Sequence, residues 1–130
     1  MHSVVIDTSV WADYFRRPGS AEGEEVSRLL VSGSGVMVGV VYAELLRGAR
    51  DDEQVSFLEE VLDAVPFVEV TKRTWNRAGR ILAELQRRGS VIPMADAVIA
   101  GVALEHGLSV FTRDGHFQRV PGLALHQAGS

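Results

Sequence analysis

Short apolar runs alternate with longer stretches in which apolar residues recur every three or four positions, and the alternation runs the length of the chain. Residues 3–6, 36–38, 67–70 and 108–111 read as strands, with 123–125 a weaker fifth. Between them lie helical patterns. The first covers 8–16 and is ended by Pro18 and Gly19. The second opens on Ser20 as N-cap and runs to Val31, where Ser32, Gly33, Ser34 and Gly35 break it. Residues 40–48 form a third helix closed by Gly48. A fourth spans 51–63, with Val55, Leu58 and Leu62 on one face. Thr71 caps a long helix to Arg88, whose apolar stripe is Trp75, Ala78, Ile81, Leu82 and Leu85. The last, 93–106, is apolar nearly all round, which predicts a central place; Gly107 ends it. Short apolar strands alternating with helices imply a mainly parallel sheet covered on both faces. The expected fold class is α/β, a three-layer α/β/α sandwich, in a single domain over residues 1–130. The Gly-Ser stretch at 32–35 is too short to be a domain linker.

Composition narrows the chemistry. An apolar fraction of 46% excludes disorder and supplies a core. The absence of cysteine excludes a disulfide scaffold and a thiolate zinc site. His2, His106, His116 and His126 contain no pair at helical i, i+4 spacing, so they make no zinc site either. The start has neither a charged n-region nor a long apolar segment, and the longest apolar stretch, 97–104, is too short to span a bilayer. A cytoplasmic protein is the expectation. The net charge of −4 argues against broad, sequence-independent binding to nucleic acid. The positive charge is nearly all arginine, with Lys72 the one lysine. Arginine suits bidentate phosphate contacts, although a bias in genome composition gives the same pattern.

Four acids stand where strands end or helices begin: Asp7 after the first strand, Glu44 after the second, Asp96 just past Pro93, and Asp114 after the fourth strand. Taken singly, each has an ordinary account as a helix cap, a turn residue or a solvated side chain. Taken together they do not. Glu44 lies among Val40, Val41, Tyr42, Leu45 and Leu46, and Asp96 among Met94, Ala95, Ala97, Val98 and Ile99. Acids in such settings are rarely buried unless paired or bound to a cation. If the strands are parallel, all four converge at the carboxyl edge of the sheet, where open α/β folds bind ligands. Hard oxygen ligands without cysteine point to Mg²⁺ or Mn²⁺.

Four stretches carry a family resemblance. Val5-Ile6-Asp7-Thr8-Ser9-Val10-Trp11 looks like the first motif of PIN-domain nucleases. Val41-Tyr42-Ala43-Glu44-Leu45-Leu46-Arg47-Gly48-Ala49 resembles the second, and Pro93-Met94-Ala95-Asp96-Ala97-Val98-Ile99-Ala100 the third. Phe111-Thr112-Arg113-Asp114-Gly115-His116-Phe117, followed by Val120-Pro121-Gly122-Leu123, resembles the fourth. Four motifs in order cover essentially the whole chain and are most similar to VapC-type toxins of bacterial toxin–antitoxin pairs.

The resemblance implies Mg²⁺- or Mn²⁺-dependent cleavage of RNA by metal-activated water, with Asp7, Glu44, Asp96 and Asp114 at the metal-ligand positions and Ser9 and Thr112 at hydroxyl positions. Many relatives place a further acid where this chain has His116, which is expected beside the metal's ligands or on the phosphate side rather than among them. Arg47, Arg50, Arg113 and Arg119 are candidates for RNA phosphate contact. Trp11, Tyr14, Phe15, Leu29 and Leu30 are the candidate groove for a small antitoxin, and a homodimer joined by apolar helix surface is expected. A receiver-type phosphoryl acceptor fits less well, because it wants a lysine at a late strand end and Lys72 is on the wrong segment. A haloacid-dehalogenase phosphatase wants a second Asp where the chain has Ser9. A non-catalytic module on the same fold has no need of all four acids, nor does a housekeeping RNA-processing nuclease need an antitoxin.

Overall fold

In the computed structural model, which describes residues 2–129, the alternation resolves into β1 (Val4–Ile6), α1 (Thr8–Arg16), α2 (Ala21–Ser32), β2 (Gly35–Val38), α3 (Gly39–Arg47) and α4 (Asp52–Leu62). There follow β3 (Phe67–Val68), α5 (Lys72–Arg87), α6 (Met94–His106), β4 (Ser109–Phe111), a 3-10 turn (Gly115–Arg119) and β5 (Ala124–Leu125). The strands make one sheet in the order β3-β2-β1-β4-β5, and every neighbouring pair is parallel. Val4 and Val5 of β1 face Gly35 and Val36 on one side and Ser109 and Val110 on the other. All positions of β1, β2 and β4 are buried, as strands covered on both faces must be.

This order fixes where a ligand can enter. The chain builds outward from β1 through β2 to β3, then returns to lay β4 along the other side of β1. The direction of winding reverses between β1 and β4, and a crevice opens beyond their carboxyl ends. Asp7 follows β1 directly, and Thr112 follows β4.

The helices form where their caps and apolar faces direct. Ser20 caps α2 by accepting the Gly23 backbone N–H, Asp51 caps α4 through Gln54, and Thr71 and Thr74 close a capping box on α5. Helix α6 is buried continuously from Asp96 to Ala103, the central position that its composition predicts. It packs along α5, while α1 packs on α2, and α3 on α4, α1 and α6. Gly33 and Gly107 end their helices in the left-handed conformation; Gly48 ends α3 in the right-handed one.

Two expectations need correction. The third strand reaches only Val68 instead of residue 70, because β3 is an edge strand with β2 as its single neighbour, and Phe67 stays 48% exposed. Trp75 does not belong to the buried stripe of α5; it is 53% exposed. Thr74, one residue earlier, takes the inward position and donates its hydroxyl to Glu105 Oε1 at 2.7 Å. A step of one residue turns a helix by about 100°, so Thr74, Ala78 and Leu85 face α6 and Trp75 cannot.

The α1–α2 turn depends on a missing side chain. A Cβ at Gly23 would stand 2.7 Å from the carbonyl oxygens of Arg17 and Pro18, whereas one at Gly79 on α5 would meet nothing within 4 Å. Gly23→Ala should therefore lower stability by about 1–3 kcal/mol despite alanine's better helix propensity. Gly79→Ala should raise it by about 0.5–1 kcal/mol. Urea unfolding of both variants checks the opposite signs; a stabilised Gly23→Ala would show that close packing does not govern the turn.

Candidate metal centre

Asp7 sits at the N-cap position of α1, yet its side chain makes no capping bond. Its Oδ2 instead accepts the Ser9 hydroxyl at 3.0 Å and the Thr112 hydroxyl at 2.7 Å. Each hydroxyl in turn accepts a backbone N–H from the loop after β4: Arg113 N–H reaches Ser9 Oγ at 3.1 Å, and Asp114 N–H reaches Thr112 Oγ1 at 2.9 Å. The proton directions are thus determined without any hydrogen being seen. Two parallel relays tie the loop carrying Asp114 to the carboxylate that follows β1. The adjacency of β1 and β4 makes this possible, since Ile6 and Phe111 are register partners and Asp7 N–H donates to Phe111 O at 2.9 Å.

The other acids gather around this point. Asp96 enters from the first turn of α6, with Oδ2 2.9 Å from His116 Nδ1. The same nitrogen is 2.8 Å from Asp114 Oδ1. Asp114 also accepts the His116 backbone N–H at 3.0 Å, which opens the 3-10 turn. Glu44 lies on α3, half-buried, and accepts the Thr8 hydroxyl at 2.7 Å. Among the described residues, Asp96, Asp114 and His116 offer ligand atoms that all lie within 4.8 Å of one another.

Electrostatics links the four acids. Burial pushes the Asp7 carboxyl above its ordinary value, against the hydrogen bonds from Thr112, Ser9 and the Thr8 backbone, and the charge of Glu44 adds to the rise. Burial likewise raises Asp96, against its hydrogen bond to His116, and the charges of Asp7 and Asp114 push in the same direction. The donor set is oxygen-rich, holds one imidazole nitrogen and contains no thiol. A hard or borderline divalent ion suits such a set and would relieve the repulsion.

The remaining sequence candidates divide. Arg113 is not a free phosphate ligand: its Nη1 holds both oxygens of Asp13 at 2.9 and 2.8 Å. Asp13, buried on α1 and missed in the sequence, also takes Arg17. Its burial favours the neutral form, but hydrogen bonds and charge from Arg113 and Arg17 outweigh this and hold its carboxyl below the ordinary value. Its i, i+4 relation to Arg17 was readable; its pairing with Arg113 across the fold was not. Thr8 marks a helix start in the sequence, where nothing local points to its bond with Glu44. Arg47 and Arg50 are exposed on the surface, and Arg119 donates to Val91 O at 3.0 Å.

Of the five candidate groove residues, Trp11 and Leu29 are core side chains, unavailable to a partner. The α1–α2 pairing turns them inward, and Leu29 and Leu30 lie against Gly35 of β2. Tyr14 is half-buried. Phe15 does line a groove of about 500 Å³, together with Leu45, Phe57, Leu58 and two polar residues, Thr8 and Glu44. Sequence reading missed the contribution of α4 to this wall, because nothing local marks Phe57 as facing Phe15, although their rings meet at 6.5 Å.

The PIN-domain family model matches residues 4–123. Ribonuclease VapC11 of Mycobacterium tuberculosis is 33% identical over 131 aligned positions, covering 98% of each chain. Ribonuclease VapC1 of Methanocaldococcus jannaschii is 26% identical over 94% of this chain and 84% of its own. Among solved structures, DNA-bound VapBC from Salmonella typhimurium superposes with a TM-score of 0.82, at 23% identity over 97% of this chain and 98% of that one. With the acid cluster at the β1–β4 crevice and a near-full-length match to VapC ribonucleases, the chain belongs to the PIN-domain family.

Proposed function

We propose that this protein is a divalent-metal-dependent endoribonuclease and the toxin of a toxin–antitoxin pair. The observation that carries the chemistry is the coupling of acids at the β1–β4 crevice: Asp96 and Asp114 close about His116, Asp7 is near enough to raise Asp96, and Glu44 near enough to raise Asp7, on top of the rise that burial gives both. These four carboxylates would hold Mg²⁺ or Mn²⁺. A bound ion would supply polarisation of the scissile phosphate and a water acidic enough to act as nucleophile near neutral pH. Ser9 and Thr112 fix Asp7, and Thr8 fixes Glu44, so the ligand oxygens need not be ordered when ion and RNA arrive. The name of the 33% identical relative, a ribonuclease, supports RNA as substrate, and the VapBC neighbours support an antitoxin partner.

The antitoxin belongs in the groove between α1, α3 and α4. Phe15, Leu45, Phe57 and Leu58 present it with an apolar wall, and Phe57, although its ring meets that of Phe15, is still 55% exposed. Glu44, which also lines it, offers a basic side chain a route toward the acids. A second copy of the chain is the other expected partner; light scattering at micromolar concentration should report twice the 14.1 kDa chain mass.

Purified protein should cleave RNA with Mn²⁺ or Mg²⁺ and stop in EDTA, and Asp96→Asn should slow cleavage at least about a hundredfold. The same variant should be more stable than the parent in EDTA. A carboxyl whose pKa is raised by folding costs stability as pH rises from its unfolded value, near 3.8, through its folded one. The stability gap between Asp96→Asn and parent should thus be small at acid pH, open as pH rises, and level off once pH has passed the folded pKa. Thermal unfolding across that range checks it; a gap of the opposite sign would remove the case for a strained, cation-seeking site.

Expression of the chain alone should arrest growth of its host, and co-expression of the small protein encoded beside it should restore growth. Phe57→Asp should weaken that complex at least about tenfold by calorimetry, since it places a charge on the apolar wall. Unaltered affinity would move the antitoxin elsewhere, and harmless expression of an RNA-cleaving protein would make a processing nuclease the better account.

A further inference from the structure

We infer that His116 binds the metal directly through Nδ1, and that this nitrogen makes the centre favour Mn²⁺ over Mg²⁺. The inference deepens the metal-dependent reading above and rests on it. It departs from the sequence expectation, which placed His116 beside the ligands rather than among them.

The geometry points this way because one atom faces two carboxylates. His116 Nδ1 stands 2.9 Å from Asp96 Oδ2 and 2.8 Å from Asp114 Oδ1. A ring nitrogen has one in-plane position, filled either by a single hydrogen or by a lone pair. A hydrogen there can serve only one of the two oxygens well. A lone pair there meets negative oxygen on both sides unless a cation stands between. Asp96, Asp114 and His116 offer ligand atoms that all lie within 4.8 Å of one another, so one divalent ion can serve all three residues. Neighbouring donors on an octahedron with bonds of about 2.1 Å lie about 3.0 Å apart, close to both separations.

The donors are held in place before any ion arrives. The Asp114 carboxylate accepts the His116 backbone N–H at 3.0 Å, so these two residues form one tight turn. The next residue, Phe117, is buried in the core, as is Val120, and they anchor the 3-10 turn from below. Asp96 is fixed by the buried body of α6 that follows it. Reaching this arrangement takes no change of fold, only the arrival of the ion.

Selectivity follows from ligand type. Carboxylate oxygens suit Mg²⁺ and Mn²⁺ alike. Imidazole is a ligand of transition ions, whereas Mg²⁺ holds to oxygen and water. Exchanging one oxygen for a nitrogen therefore weakens the claim of Mg²⁺ on this centre more than that of Mn²⁺.

The test uses the full chain and the two ions as probes. Calorimetric titration with MnCl₂ and MgCl₂ gives the affinity ratio, and electron spin-echo spectroscopy of the Mn²⁺-loaded protein reads nitrogen coordination without recourse to activity. The parent should show ¹⁴N modulation from a directly bound imidazole. His116→Gln should lose it, and His116→Asp should lose it while lowering the Mn²⁺/Mg²⁺ affinity ratio at least about tenfold. Circular dichroism confirms that both variants are folded, and the parent's own spectrum decides the matter if either is not. Mn²⁺ bound without ¹⁴N modulation, or modulation that persists in folded His116→Gln, overturns the assignment while leaving a metal centre in place. Failure of the parent to bind either ion overturns both the assignment and the reading on which it rests.

Discussion

Asp7 is 6% exposed and Asp96 is 9% exposed, and each feels the charge of a neighbouring acid. Taking carboxylates out of water beside like charges opposes folding, and the rest of the chain is arranged around keeping them there. The parallel sheet supplies the place. Its winding reverses between β1 and β4, so the residues following those two strands face one crevice while two different helical segments begin beside it. Hydroxyls supply the restraint. Ser9 and Thr112 carry hydrogen bonds from the loop backbone to a single oxygen of Asp7, so the strand end and the loop are fixed by the same two side chains.

The buried acids of this protein separate by the company they keep. Asp13 is held by Arg113 and Arg17, and Glu25 by His126 and Arg28. In both, burial favours the neutral form, but hydrogen bonds and opposite charges prevail and keep the carboxyl below its ordinary value. Their contribution to stability is present above the unfolded pKa and is lost as pH falls through the folded one. Asp7 and Asp96 have no arginine partner among these bonds, and their shifts run upward. Two acids thus fasten the structure, one joining α1 to the loop after β4 and the other joining α2 to the end of the chain. The others remain under strain where a cation would relieve it.

The same contrast reconciles a net charge of −4 with the RNA substrate proposed for this chain. Net charge sets the long-range field, but the acids at the crevice are the part of it that a bound divalent ion offsets. Arg113, in a position that invites a phosphate contact on paper, is already committed to Asp13 and serves to position the loop that bears Asp114 and His116. Glu44 lines the apolar groove and also acts by its charge on Asp7, so the groove adjoins the acids of the crevice.

Most of the fold was legible because it rests on local signals. Apolar strand runs, helix caps at Ser20, Asp51 and Thr71, and the all-apolar run of α6 each express a preference that holds over a few residues. The four acids were legible for a related reason: each adjoins the end or the start of such an element, and parallel strands bring those points to one edge. What adjacency in space decides lay beyond the sequence. Whether Thr74 or Trp75 faces inward depends on how α5 lies on α6; whether Trp11 meets a partner or the core depends on how α2 lies on α1. Asp13 and Arg113, or His116 between Asp96 and Asp114, become pairs only once distant segments have docked. Sequence determines which groups are present and which way each element tends to fold. Tertiary structure alone decides which charges end up close enough, and dry enough, to act on one another, because that interaction depends on distance and on the exclusion of water rather than on order along the chain.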